Sequence, residues 1–412
     1  MFASKNAAVA LALLIVSLAT RAIFDKLLAL SPDWTLVAHW AQAQSLFDLT
    51  AAVSLAGIGQ GLTVFAARRG ESESRLMRDG LMWGFVVSGV AAVALLAVAP
   101  TLNAVVGREV APPGEAGALA IVAGLLATAP GLFGCYWQGR LQRGRMILLG
   151  LAGWAPLAIG GSGLFGAPDM KRLLWIQIVT QSALALVLAA PLLQEKLAGA
   201  TPSWRNSPLR RYVLAGVSIG LMSPASTLWA RAELAHQLSW DQVAQLQALW
   251  RTSEWVNGIA GGLLVLVFLP RMAAATSRAT FHAQLAHAWR TLCLPAALVY
   301  ACLWAAQGAV IPFLYSGRFL MPASASGLFL AGDVLRLASW VPLHGLFATE
   351  RTNVVAIGEF LSQPLFALLL TLIPQPSLAI AGACYAFTYV VYFAFNAWCV
   401  FRVQGRYAPA AA

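Results

Sequence analysis

The sequence predicts an all-α integral membrane protein of about twelve transmembrane helices, and three observations carry that prediction. The 412-residue chain is 59% hydrophobic and only 10% charged, with a mean hydropathy of +0.73. Its apolar runs reach about 20 residues, long enough to cross a ~30 Å hydrocarbon core. No polar, globular-looking stretch separates them. Strand-type spanning is excluded by the same runs, because barrel strands are short segments of alternating polarity.

In chain order the spans are expected near 7–30, 38–66, 80–101, 117–138, 147–164, 173–193, 212–235, 242–269, 291–314, 323–347, 354–373 and 379–401. Residues 7–20 follow Lys5 much as a signal-peptide core would. The apolar run continues through Arg21 to Leu30 without a clear small-residue cleavage site, so a retained first helix is expected. Pro130, Pro156, Pro224, Pro295, Pro342 and Pro364 fall inside spans, where each removes a backbone donor and kinks its helix.

Loop charge tests the helix count. With both termini on one side, that side collects eighteen basic residues, among them Lys5, Arg68, Arg69, Arg75, Arg78, Lys196, Arg205, Arg278, Arg290, Arg351, Arg402 and Arg406. The opposite side receives Arg108, Lys171, Arg172 and Arg318. Such a bias marks the rich side as cytoplasmic, and one miscounted helix would scramble it. The net charge of +11 is therefore mostly a topology signal. It requires no nucleic-acid partner, although the basic loops suit anionic membrane lipid.

Eleven charged side chains remain inside the spans: Arg21, Asp25, Lys26, Asp48, Arg231, Glu233, Arg251, Glu254, Asp333, Arg336 and Glu359. A charge near the bilayer centre costs at least a few kcal/mol and is normally kept only where it meets a polar cavity or a partner. Arg21 with Asp25 is spaced i,i+4; Arg251 with Glu254 and Asp333 with Arg336 are i,i+3, so each pair shares a helix face. At ~1.5 Å rise per residue, Arg21, Asp48, Arg251, Glu254, Asp333 and Arg336 sit between the midplane and the outer third. Lys26, Arg231 and Glu233 lie nearer the outer interface, where snorkelling is the default expectation. Glu359 is expected near the inner interface, as structural as functional. Trp34, Trp40 and Trp240 at the outer edge and Trp204 at the inner read as belt aromatics.

Cys135, Cys293, Cys302, Cys384 and Cys399 are odd in number and match no metal spacing, and the five histidines are scattered. No metal site, catalytic centre, phosphate-binding glycine loop or nucleophile elbow is expected.

A polar stretch, Gln194 to Arg211, falls between spans six and seven. It predicts an N-terminal six-helix lobe over 1–196, a cytoplasmic linker over 197–211 and a C-terminal six-helix lobe over 212–412. The second helix of each half ends alike, Val64-Phe65-Ala66-Ala67-Arg68 against Val267-Phe268-Leu269-Pro270-Arg271, as parallel repeats would.

Several segments resemble one family in their order and spacing. They are Gly57-Ile58-Gly59-Gln60-Gly61, Ser239-Trp240-Asp241, Leu269-Pro270, Gly332-Asp333-Val334-Leu335-Arg336 and Ala386-Phe387-Thr388-Tyr389-Val390-Val391-Tyr392-Phe393. The chain is similar to the polysaccharide-exporter branch of the multidrug/oligosaccharidyl-lipid/polysaccharide (MOP) flippase superfamily, nearest the O-antigen translocase and lipid III flippase group. The resemblance implies two lobes in a MATE-like V around a central cavity, in a bacterial inner membrane. It also implies alternating access that carries an undecaprenyl-diphosphate-linked oligosaccharide from the cytoplasmic to the periplasmic leaflet. Contact with polysaccharide polymerase or chain-length machinery is left open by it.

Guanidinium forks suit a diphosphate. Arg21, Arg251 and Arg336 are the candidates for it, with Lys26 and Arg231 near the outer gate. Asp25, Asp48, Glu254 and Asp333 could hold those bases in place, bind sugar hydroxyls, or take the proton or Na⁺ that drives the cycle; no other cofactor is expected. A multidrug/ion antiporter of the same superfamily would share the fold but favour an acidic, aromatic cavity. An integral-membrane glycosyltransferase or polymerase would need a sizeable outer loop, and none is present.

Overall fold

The computed structural model describes residues 15–16, 19–68, 73–106, 112, 114–140, 142–164, 166, 168–194, 207, 209–349 and 351–402. Lys5, Arg69, Arg108, Lys196, Trp204, Arg205, Arg406 and most of the linker expected over 197–211 lie outside them.

Among the described residues, besides a short 3₁₀ turn at Gly317–Phe319, the chain runs through twelve helical segments that overlap the expected spans in order; residues 7–14 and 17–18 of the first span lie outside the described residues. The segments are α1 (19–29), α2 (Leu36–Arg68), α3 (Glu73–Val106), α4 (Glu115–Gly139), α5 (Arg143–Gly161) and α6 (Met170–Gln194). After the linker come α7 (Arg210–Gln237), α8 (Trp240–Ala273), α9 (Arg278–Leu314), α10 (Ala323–Ala348), α11 (Thr352–Leu372) and α12 (Leu378–Phe401). Eight are long and apolar enough to cross a bilayer by length and composition. α7, α8 and α10 are not among those eight. These three carry Arg231 with Glu233, Arg251 with Glu254, and Asp333 with Arg336, two charges each, which lower the hydropathy of their spans.

Local chemistry sets several helix starts. Ser239 accepts from the Gln242 amide at 3.2 Å to cap α8, and Ser377 does the same for Ile380 at the start of α12. Ser277 and Thr280 form a reciprocal capping box at the start of α9. α2 and α8 each contain a π-helical turn, Leu55–Gly59 and Leu264–Phe268, a feature that widens a helix and recurs at functional sites. The prolines named above all lie within helices.

The chain divides into two compact units, one of Val16–His236 and the other from Gln237 onward. Glycine contacts hold α7 to α2 within the first unit. A Cβ at Gly57 on α2 would meet the Tyr212 carbonyl oxygen at 2.6 Å and the Gly216 Cα at 2.8 Å. One at Gly220 would collide with the backbone of Ala52 and Val53. Gly216 and Gly220 are spaced as in GxxxG, the arrangement that lets two membrane helices meet backbone to backbone. The first unit is further tied by Thr63, whose hydroxyl donates to the Cys135 carbonyl at 2.9 Å, and by Ser88 donating to Ser54 at 2.9 Å. Ile58, Leu62, Leu76, Leu132 and Trp137 pack into one buried cluster beside these bonds.

Candidate functional site

In the unit from Gln237 onward, α8, α10, α11 and α12 bring charged and aromatic side chains together. Two of the pairs expected from helix spacing are formed. Arg251 Nη1 lies 3.3 Å from Glu254 Oε2, and Arg336 Nη1 lies 3.8 Å from Asp333 Oδ1. Asp333 is fully buried and Arg251 is 5% exposed. Arg336 stacks over the rings of Trp340 and Tyr389, 5.3 and 6.0 Å from their centroids. A planar cation held over two aromatic faces keeps its charge in an otherwise apolar bundle.

Tyrosines complete the arrangement. Tyr385 donates a 2.7 Å hydrogen bond to Asp333 Oδ1 and packs edge-on against Tyr389, with centroids 4.9 Å apart. Tyr392, on the same face of α12, donates to Glu359 of α11. On the α8 side, the Tyr300 hydroxyl donates to Asn257 Oδ1 at 2.7 Å, with the Ser253 carbonyl an alternative acceptor at 3.2 Å. Trp250 meets Phe329, Phe366 and Tyr385. Glu254, Asp333 and Glu359 all lie within electrostatic reach of Arg336. Three carboxyl groups therefore share this unit with the Arg251 and Arg336 guanidinium groups.

Glu359, whose role the sequence left open between structural and functional, is 2% exposed and hydrogen-bonded to Tyr392. The signal that could have found this group is the spacing Tyr385, Tyr389, Tyr392, a polar-tipped aromatic stripe at helical period on an apolar helix.

In the Val16–His236 unit the candidates occupy different settings. Arg21 lies over Trp154 at 5.3 Å, beside a helix turn that also buries Asp25. Lys26 is half-buried, and Asp48 accepts from Gln44 Nε2 at 3.1 Å. Arg231 donates from Nη1 to the Ala41 carbonyl at 2.8 Å and to Ser45 Oγ at 2.7 Å, fastening α7 to α2. Snorkelling does not describe it: Arg231 is 6% exposed and Glu233 is fully buried. Trp40 is likewise no belt residue. It is buried and packs edge-on against Phe24 at 5.3 Å.

No family model matches this chain. It is 25% identical over 199 residues to the lipid III flippase of Escherichia coli (strain K12), and equally to that of Shigella flexneri. Each match covers 47% of this chain and 47% of the relative, so the chain spans about half the length of the curated relatives it matches. Solved structures agree over nearly the whole length. A MATE crystal structure in complex with MaL6 superposes with a TM-score of 0.69 over 96% of both chains at 12% identity. An outward-facing multidrug resistance MATE family transporter of the MOP superfamily gives 0.67 over 96% of both at 12% identity. An inward-facing one gives 0.63 over 96% of this chain and 98% of its own at 15% identity. The chain is a multi-pass, all-helical membrane protein with the fold of the MATE transporters of the MOP superfamily, and its sequence is similar to lipid III flippases.

Proposed function

We propose that this chain is a flippase that moves an undecaprenyl-diphosphate-linked oligosaccharide of the O-antigen or lipid III type from the cytoplasmic to the periplasmic leaflet by alternating access. The observation that carries the reading is the pair of arginines, Arg251, buried, and Arg336, half-buried, within membrane-spanning helices of a chain similar to lipid III flippases. Guanidinium groups fit diphosphate oxygens with paired hydrogen bonds, and a water-poor bundle strengthens that attraction. In the Val16–His236 unit, taken by itself, Arg21 and Lys26 are the candidates for anionic substrate groups and Asp48 for sugar hydroxyls. Arg231, committed to α2, would position that unit's helices. Both termini would face the cytoplasm of a bacterial inner membrane.

Coupling follows from the charge balance. Glu254, Asp333 and Glu359 exceed Arg251 and Arg336 by one negative charge when all are ionised, which repels an anionic headgroup. A proton or Na⁺ taken up at Glu254 or Asp333 removes that repulsion, so cation binding would prepare the arginines for the diphosphate. Asp25 and Asp48 are the coupling candidates of the first unit. The test is export of lipid-linked sugar in a strain dependent on this chain. Arg251→Ala and Arg336→Ala should each abolish export while inserted protein stays at wild-type level; wild-type export in both sinks the reading.

A cation antiporter is the second reading, favoured by one observation: the acidic groups Asp333 and Glu359 are lined by Tyr385, Tyr389 and Tyr392. Resistance to cationic drugs on overexpression, lost in Asp333→Asn, would select it over the flippase.

A further inference from the structure

α9 is longer than a membrane crossing requires. It runs 37 residues from Arg278 to Leu314, about 55 Å at 1.5 Å per residue against a ~30 Å hydrocarbon core. Its last stretch, 291–314, has no charged residue, whereas 278–290 reads RATFHAQLAHAWR. Arg290 therefore marks the level at which the helix leaves the hydrocarbon, and Arg278 to Trp289 extend through the headgroup layer. The extension is amphipathic. Phe281, Leu285 and Ala288 are buried, and a Cβ at Gly345 of α10 would meet Leu285 at 3.1 Å and Phe281 at 3.4 Å.

Beside that contact lies a groove of about 410 Å³ between α9, α10 and α12, walled by His282, Leu285, Trp289, Arg290, Val341 and Phe393. Its rim is basic and aromatic. Arg278 donates to the Phe401 carbonyl at 2.9 Å and to His282 Nε2 at 3.3 Å. Arg402 sits 4.3 Å over Trp398. Because His282 Nε2 accepts, its Nδ1 carries the proton, and that buried N–H has no hydrogen-bond acceptor. An apolar groove at headgroup depth, with a guanidinium at its inner end and an unused donor at its outer end, is complementary to one class of ligand.

We infer that this groove binds an anionic phospholipid of the surrounding leaflet, with its phosphate between the His282 N–H and the Arg290 guanidinium, which reaches back toward the headgroup layer, and with the first carbons of an acyl chain against Leu285, Val341 and Phe393 before the chain passes Arg290 into the hydrocarbon. Polybasic surfaces next to membrane spans attract anionic lipid generally. Here the donors are at two levels of one helix and the groove supplies an apolar wall, so retention of a single lipid is expected rather than diffuse attraction. The site is separate from the Arg251 and Arg336 cluster and does not depend on what that cluster carries.

The test uses the full chain purified in detergent, with thermal unfolding followed as dioleoylphosphatidylglycerol, dioleoylphosphatidylcholine or inorganic phosphate is added. Phosphatidylglycerol should raise the unfolding temperature saturably, and the other two should not. The double variant Arg290→Gln/His282→Ala should need about tenfold more phosphatidylglycerol for the same shift, as expected for loss of charge-assisted hydrogen bonds. Ala286→Trp, at an exposed wall position, keeps both donors but fills the groove and should lose the response as well; it decides the matter if the double variant does not fold. Equal stabilisation by the two lipids, an equal shift with inorganic phosphate, or a wild-type response in Ala286→Trp would overturn the proposal.

Discussion

The Tyr385 hydroxyl donates a 2.7 Å hydrogen bond to the carboxylate of Asp333, a fully buried group 52 residues earlier in the chain that also faces Arg336. This bond joins α12 to α10 at the centre of the charged cluster. Removing it by Tyr385→Phe leaves the Asp333 oxygen with a more distant arginine and should cost about 1–3 kcal/mol of stability. Thermal unfolding of the purified variant checks the size. An unchanged unfolding temperature would mean the bond contributes nothing net.

Asp333→Asn keeps an oxygen to accept from Tyr385 but removes the charge. The protein should still insert. On the coupling proposal its export should lose most of its dependence on the proton or Na⁺ gradient, because two carboxylates then balance two arginines without an added cation. Transport into inverted vesicles at matched and opposed gradients measures this, and an undiminished gradient dependence would remove Asp333 from the coupling role.

Glu359 separates hydrogen bonding from charge in the same way. Glu359→Gln retains an acceptor for Tyr392 and should fold normally. Glu359→Leu orphans the Tyr392 hydroxyl in the bundle and should lose about 1–3 kcal/mol. Comparing unfolding of the two variants tells whether the acceptor is what the fold requires; equal stability in both would argue against it.

Gly57 and Gly216 should tolerate almost nothing larger. Gly216→Val would drive a branched side chain into the α2 backbone, where overpacking costs typically 1–3 kcal/mol and more when the opposing atoms are main chain. The expected outcome is low yield of monodisperse protein, read by fluorescence-detected size exclusion. Normal yield would show that α2 and α7 can separate.

Arg231→Ala should destabilise the Val16–His236 unit by about 2–4 kcal/mol, since it strips hydrogen bonds from Ala41 and Ser45 and leaves a gap between α2 and α7. By contrast the Lys171 to Glu115 bridge, 2.7 Å long but more than half exposed at both ends, should matter little. Glu115→Gln is therefore the control: its unfolding temperature should match the wild type within error.

Sequence alone determined the number and order of the helices, because a membrane helix satisfies its backbone within one contiguous apolar run and announces itself locally. It also determined the Arg251–Glu254 and Asp333–Arg336 pairs, since i,i+3 spacing puts both side chains on one face whatever the helix packs against. Tertiary structure decided which faces meet. The Tyr385–Asp333 and Tyr392–Glu359 bonds join different helices, and Trp40 went inward where its position suggested a belt residue. α7 packs against α2 through Gly216 and Gly57, a contact that depends on the close approach of two backbones and leaves no trace in the composition of either helix.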